Sequence, residues 1–117
     1  VTSTIYGIPN CSTVKKACNW FEEHAIAFSF YDFKKNGVTQ ALIEEWLRHV
    51  PIEQLLNRSS MTYRQLNETQ KRQCESLIGA MTIMMAQPSI IKRPIVEVQG
   101  RIILGFNATA YQSFFQA

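Results

Sequence analysis

Thr4-Ile5-Tyr6-Gly7-Ile8-Pro9-Asn10-Cys11-Ser12-Thr13-Val14-Lys15-Lys16-Ala17 passes from an apolar, strand-like run into a helical pattern, and its one thiol stands at the junction. A cysteine placed there meets unpaired backbone N–H groups and the positive end of the helix dipole. Both lower its pKa from the free value of about 8.5 and favour the nucleophilic thiolate. Lys15 and Lys16 add two cations in the first turns, where the macrodipole disfavours positive charge. A local rule broken in this way often marks a functional site. The same residues also fit a small apolar Cys11 filling a strand-to-helix corner beside solvated lysines, so the rest of the chain has to decide.

Working outward, Val14, Ala17, Cys18 and Phe21 recur at helical spacing and predict an amphipathic helix to about His24. Ile26 to Phe33 is rich in Phe and Tyr and reads as a strand, with a turn at Lys35-Asn36-Gly37. Strand, helix and strand at this length predict a parallel, right-handed βαβ unit. Thr39 is the expected N-cap of a second helix with Leu42, Ile43, Trp46, Leu47 and Val50 on one stripe, ended by Pro51. A short apolar element at Gln54-Leu55-Leu56 leads into the polar stretch Asn57 to Thr62. A longer helix is then expected from Asn67 or Thr69, turning Cys74, Leu77, Ile78, Met81, Met84 and Met85 inward, with Gly79 as its weak point and Pro88 as its end. Ile95 to Val98 and Ile102 to Leu104, separated by Gln99-Gly100-Arg101, predict a β-hairpin. Asn107 to Phe115 predicts a last helix with Ala110, Tyr111, Phe114 and Phe115 inward. The element order becomes β-α-β-α, further helices, then β-β-α.

The chain has 117 residues, 46% of them hydrophobic and 18% charged, which fits one soluble domain over 1–117 with a single core. No apolar run approaches the ~20 residues that span a bilayer, and no basic-then-apolar leader is read, so the expected location is cytoplasmic and no membrane partner is expected. Three cysteines suit reduced thiols better than a disulfide framework. The net charge of +3 is modest and its basic residues are dispersed, which argues against direct nucleic-acid binding and fits a small anionic substrate equally well. The cysteines with His24 and His49 do not follow zinc-site spacings, so no metal is expected. The histidines fall near helix C-termini, where they suit the dipole. The methionines, Trp20 and Trp46 read as packing residues.

The element order, with a Cys at the first strand-to-helix junction and Arg93-Pro94 before the hairpin, is similar to the thioredoxin fold. A four-stranded mixed sheet would carry a helical insertion, roughly 39–88, between its second and third strands. Three motifs go further: Tyr6 to Ala17, Ile91-Lys92-Arg93-Pro94-Ile95 and Leu104-Gly105-Phe106-Asn107 resemble the arsenate reductase (ArsC)/Spx family, most of all its YffB-like branch. The resemblance implies that Cys11 is the catalytic thiol, that Arg93 lies beside it, and that Pro94 has a cis peptide bond. Pro94 would then leave the Arg93 backbone free to pair with an extended peptide-like ligand such as glutathione.

Departures from the family narrow the chemistry. The second Cys that Spx-type members carry three residues after the first is Val14 here, so a local C-x-x-C disulfide is ruled out. Cys18, seven residues down a helix rising 1.5 Å per residue, is about 10 Å away, beyond the ~7 Å that a disulfide tolerates. Cys74 stays open as a resolving thiol, although its apolar stripe favours core packing. A lone thiol needs an external one to complete its cycle, and glutathione as co-substrate is the expected choice, without a metal or prosthetic group. Glutaredoxin-linked arsenate reductases of the family carry a His four residues before the Cys, where Gly7 stands. They also carry an Arg at the place of Gly105 and another that falls at Asn57, one position from Arg58. Arg93, Lys15 and Arg58 are the candidate substrate-binding cations, with Pro94 beside them. Three activities follow as expectations: a glutathione-dependent thiol oxidoreductase, a glutaredoxin-linked arsenate reductase, or an Spx-like regulator whose partner is RNA polymerase.

Overall fold

β1 (Ser3–Gly7) and β2 (Phe28–Asp32) pair in parallel around the helix α1 (Ser12–Glu23), as the first stretch of sequence requires. A computed structural model of the chain describes residues 3–116. β3 (Ile95–Val98) pairs antiparallel with β1, and β4 (Arg101–Leu104) antiparallel with β3, giving the strand order β2-β1-β3-β4. This four-stranded mixed sheet with its helices is a thioredoxin-like fold. The described residues divide into two compact units, one formed by the chain up to Asp32 and from Arg93 onward, the other by Phe33–Lys92.

The first unit builds its core on one face of the sheet. Ile5, Ala17, Trp20, Phe21, Val96 and Tyr111 are buried together, the last from α8 (Ala108–Phe115). The ring of Tyr111 meets those of Trp20 and Phe21 edge-on, and its hydroxyl donates to the Gly105 carbonyl at 2.6 Å. Each such large apolar side chain contributes about 1.5–3 kcal/mol on burial, so α1 and α8 are clamped to the sheet from both ends of the unit. Only Tyr111 of the expected inward residues of α8 is fully buried. Phe114 and Phe115 are half-buried, and Ala110 is exposed because it lies on the N-terminal turn capped by Asn107.

β2 is shorter than the expected Ile26 to Phe33. The Ile26 N–H returns to the Phe21 carbonyl at 2.9 Å and the Ala25 N–H to Glu22 at 3.2 Å, with Ala25 at φ 56°. This paired return is a Schellman ending, which consumes Ile26 before the strand can start. At the other end Phe33 opens a one-turn helix, α2 (Phe33–Asn36), and is itself buried. The hairpin turn is also tighter than expected: Gln99 and Gly100 both take positive φ, 52° and 74°, so Arg101 joins β4. Two successive left-handed residues make the turn whose twist matches the flanking strands.

The second unit holds α3 (Gln40–Leu47), α4 (Ile52–Leu55), α5 (Met61–Arg64), α6 (Glu68–Gln73) and α7 (Leu77–Ala86). Thr39 caps α3 as expected, accepting from Leu42 N–H at 3.1 Å, but only Ile43 and Trp46 of its stripe are fully buried. α3 ends at Leu47, and Pro51 starts α4 rather than ending α3. The single long helix expected from Asn67 is two helices. Asn67 and Gln70 form a capping box for α6, and Ser76 accepts the Gly79 N–H at 3.0 Å to start α7 anew. The new register turns Leu77 and Ile78 outward, 52% and 78% exposed, while Met81 and Met84 stay buried and Met85 is half-buried.

Gly79 is what permits that break. A Cβ on it would stand 2.0 Å from the Gln73 carbonyl oxygen and 2.7 Å from Ser76 Oγ. Exchanging Gly for Ala inside a helix normally stabilises by about 1 kcal/mol. Gly79→Ala is expected to destabilise instead, by roughly 1–3 kcal/mol, and a lowered urea midpoint is the check.

Candidate active site

Cys11 is the N-cap residue of α1, with extended backbone at φ −142° and ψ 123°. β1 delivers the chain to this point, Pro9 and Asn10 turn it, and the Lys15 N–H donates to the Cys11 carbonyl at 2.9 Å, closing the first helical turn. The sulfur is half-buried. Burial works against the thiolate, but it is outweighed by the Val14 N–H, the Arg93 side chain as both donor and charge, and the Thr13 N–H, which together hold Cys11 below the ordinary thiol value. The cap position is normally filled by an oxygen that accepts the same N–H groups. Here a cysteine stands at that position, and its side chain makes no capping hydrogen bond.

Arg93 and Pro94 come from the strand side of the unit. The Arg93-Pro94 peptide bond is cis, Pro94 is buried, and its carbonyl accepts the Gly105 N–H at 2.8 Å, fixing the entry into β3. Cys11, Arg93 and Pro94 therefore belong to one compact unit, with the guanidinium acting on the sulfur. Lys15 does not join them. It is exposed and lines a cleft with Pro9, Val14, Cys18, Asn19 and Phe30. Arg58 belongs to the second unit, where its Nη1 donates to the Tyr63 hydroxyl at 2.8 Å and its guanidinium lies over the same ring. The backbone N–H groups that the sequence set against Cys11 are those of Thr13 and Val14, whereas the cationic side chains of α1 do not act on its sulfur. The signal was present in the position of Cys11 itself.

The other two thiols differ in kind. Cys18 is half-buried, and burial together with the Glu22 charge pushes it up. Cys74 is buried in the second unit, where burial raises it and the Arg58 charge opposes that. A lowered pKa places the thiolate at lower pH, so the alkylation rate of Cys11 should inflect below the usual ~8.5 and those of Cys18 and Cys74 above it. Peptide mapping after brief iodoacetamide treatment across pH 5–10 is the measurement, and Cys11 modified last at neutral pH would refute the assignment.

Two family positions disfavour a side chain, one through packing and one through its backbone conformation. A Cβ on Gly7 would stand 2.7 Å from Val14 Cγ2, so Val14 occupies the volume that a side chain at position 7 would need. Gly105 sits at φ 74°, a region that side-chain-bearing residues enter at a cost. Among the described residues no group of His, Cys, Asp and Glu could hold a metal ion, and no helix is long and apolar enough to cross a membrane.

A thioredoxin-like sheet that presents a cysteine at a helix N-cap, in the same unit as a cis-proline and a cation, defines a thiol-based oxidoreductase scaffold. The chain belongs to the ArsC family, whose profile matches residues 6–114. It is similar to the solved structure of a YFFB protein, with 39% identity, a TM-score of 0.87, and coverage of 95% of this chain and 96% of that one. An arsenate reductase (ArsC) related protein from Brucella melitensis is 41% identical, with a TM-score of 0.77 and coverage of 100% and 97%. The global transcriptional regulator Spx of Listeria innocua is 25% identical over 95% of this chain and 85% of its own length.

Proposed function

We propose that this protein is a glutathione-dependent thiol oxidoreductase in which Cys11 is the only nucleophile. The observation that carries the proposal is Cys11 at the N-cap of α1, its pKa lowered by the Val14 N–H and Arg93, with Val14 where a second thiol would stand. In the first step the thiolate attacks the glutathionyl sulfur of a mixed disulfide. A Cys11–glutathione disulfide forms, the old S–S bond breaks, and the departing sulfur leaves with the electron pair and takes a proton from water. A second glutathione thiolate then attacks the glutathionyl sulfur, releasing oxidised glutathione and returning Cys11 to its thiolate. The donors around Cys11 stabilise the charge as it leaves and returns to that sulfur.

Strand-like pairing of the glutathione main chain with Arg93, which precedes the buried Pro94 and β3, is the binding mode of this reading. A reducing compartment such as the cytoplasm supplies the glutathione, and a glutaredoxin can take the part of the resolving thiol. Strict arsenate reduction draws less support, because a tetrahedral dianion needs several convergent donors and positions 7 and 105 hold glycines. The test is incubation with oxidised glutathione followed by peptide mass mapping. A single glutathione adduct on Cys11, reversed by reduced glutathione, is expected. Adducts spread evenly over Cys11, Cys18 and Cys74 would overturn the proposal.

A further inference from the structure

Gly105 is held from both sides of its Cα. Its N–H donates to the Pro94 carbonyl at 2.8 Å, and its own carbonyl accepts from the Tyr111 hydroxyl at 2.6 Å. Glycine has no side chain to restrict its backbone, so at φ 74° these two hydrogen bonds, rather than its own sterics, fix where it stands. Tyr111 is the anchored end of the chain of bonds. It is fully buried, with the ring centroids of Trp20, Phe21 and Phe106 at 5.3, 6.1 and 5.0 Å, and its N–H donates to the Asn107 carbonyl at 2.9 Å in the first turn of α8.

The other end reaches the nucleophile. Pro94 is buried, and its ring fixes φ, which couples the carbonyl that Gly105 holds to the peptide unit joining Pro94 to Arg93. Arg93 in turn sets its side chain against the Cys11 sulfur as hydrogen-bond donor and charge. All of these residues belong to the first unit. Hydrogen bonds weaken steeply as the donor turns off line, so a small displacement of Arg93 is felt at the sulfur. We propose that Tyr111 is a positioning residue for the Cys11 chemistry: through Gly105 and Pro94, its hydroxyl holds Arg93 where the guanidinium meets the sulfur. This role deepens the function proposed above and rests on it. Tyr111 itself touches no reacting atom. Burial and the neighbouring Cys18 thiol push its hydroxyl up, so it remains a donor across the range in which Cys11 titrates.

The experiment is the pH dependence of Cys11 alkylation by iodoacetamide, followed by peptide mapping, in the wild type, Tyr111→Phe, Arg93→Met and the double variant. Phenylalanine keeps the ring and deletes the donor. Tyr111→Phe is expected to move the inflection up and to slow the reaction at neutral pH about three- to tenfold, the factor that the net contribution of one hydrogen bond allows. In the Arg93→Met background the same change should alter the rate by less than about twofold, because the side chain it positions is gone. Asn107→Ala removes the side-chain cap of α8 and keeps the hydroxyl, so it should lower the urea midpoint and leave the inflection at its wild-type pH. A Tyr111→Phe protein with wild-type far-UV circular dichroism, a lowered urea midpoint and an unmoved inflection would overturn the proposal, since the hydroxyl would then serve stability alone. Equal slowing with and without Arg93, or an inflection that moves as far in Asn107→Ala, would overturn it too. Mapping of the wild type after oxidised glutathione separates the two claims. Absence of a Cys11 adduct overturns the function on which the role rests, whereas a Cys11 adduct with an unmoved inflection in Tyr111→Phe overturns the positioning role alone.

Discussion

Cys11→Ser is expected to abolish glutathione-dependent turnover, and Arg93→Met to lower the second-order rate of Cys11 with disulfides about 10- to 100-fold. A hydrogen bond to a charged group is worth about 1.5–3 kcal/mol, and each 1.4 kcal/mol is a factor of about ten. Arg93 acts on the sulfur both as donor and as charge. Methionine keeps much of the apolar stem's bulk and removes both effects, leaving burial to oppose the thiolate with only the Thr13 and Val14 N–H groups against it. The inflection of rate against pH should therefore move up. Arg93→Lys keeps the charge but not the planar fork and should fall between the two. The check is stopped-flow alkylation across pH with far-UV circular dichroism as a control on folding. A well-folded Arg93→Met protein with the wild-type inflection would show that the helix N-terminus alone activates Cys11.

That dependence also marks how far the sequence could be read. The position of Cys11, the parallel β1–α1–β2 unit, the hairpin and the Thr39 cap follow from local rules, and the structure has them. Local patterning failed where two readings shared one apolar run. Leu77 and Ile78 continue the helical stripe of Cys74 and Met81 in spacing, yet Ser76 restarts the helix and changes which face they occupy. Phe33 looks like one more strand residue and opens a helical turn instead, buried at its start. At the site, Lys15 was conspicuous as a charge in the wrong half of a helix. The structure sets it in the cleft beside Phe30, while the main-chain N–H groups of Thr13 and Val14, legible from the place of Cys11 at the helix start, lower the pKa of the thiol. Arg58 was located only by likeness to a family position, and its partner Tyr63 is a neighbour that spacing alone did not suggest.

Gly7→His is expected to destabilise the protein by roughly 3 kcal/mol, at the upper end of the range for overpacking, and Val14→Ala is expected to cost about 2 kcal/mol as a core truncation. The two should not add. Val14 Cγ2 is the atom that a Cβ at position 7 would meet, at 2.7 Å, and a β-branched side chain on a helix has little freedom to turn away. Removing it opens the volume that the imidazole needs, so the double variant should be more stable than the sum of the single effects by about 1–2 kcal/mol, the size of coupling seen between contacting residues. Urea unfolding of the four proteins measures this, and strict additivity would show that positions 7 and 14 do not exchange volume. The same coupling bears on chemistry. Val14 removes a second thiol from the first turn and, through its methyl groups, closes position 7 to a side chain, so one residue sets both departures. An Arg at position 105 would meet a separate obstacle in the backbone at φ 74°. Arsenate-dependent NADPH oxidation through glutathione and glutaredoxin should therefore stay near background in the wild type, and Gly7→His/Val14→Ala should not restore it, since the double variant supplies an imidazole but not the missing guanidinium.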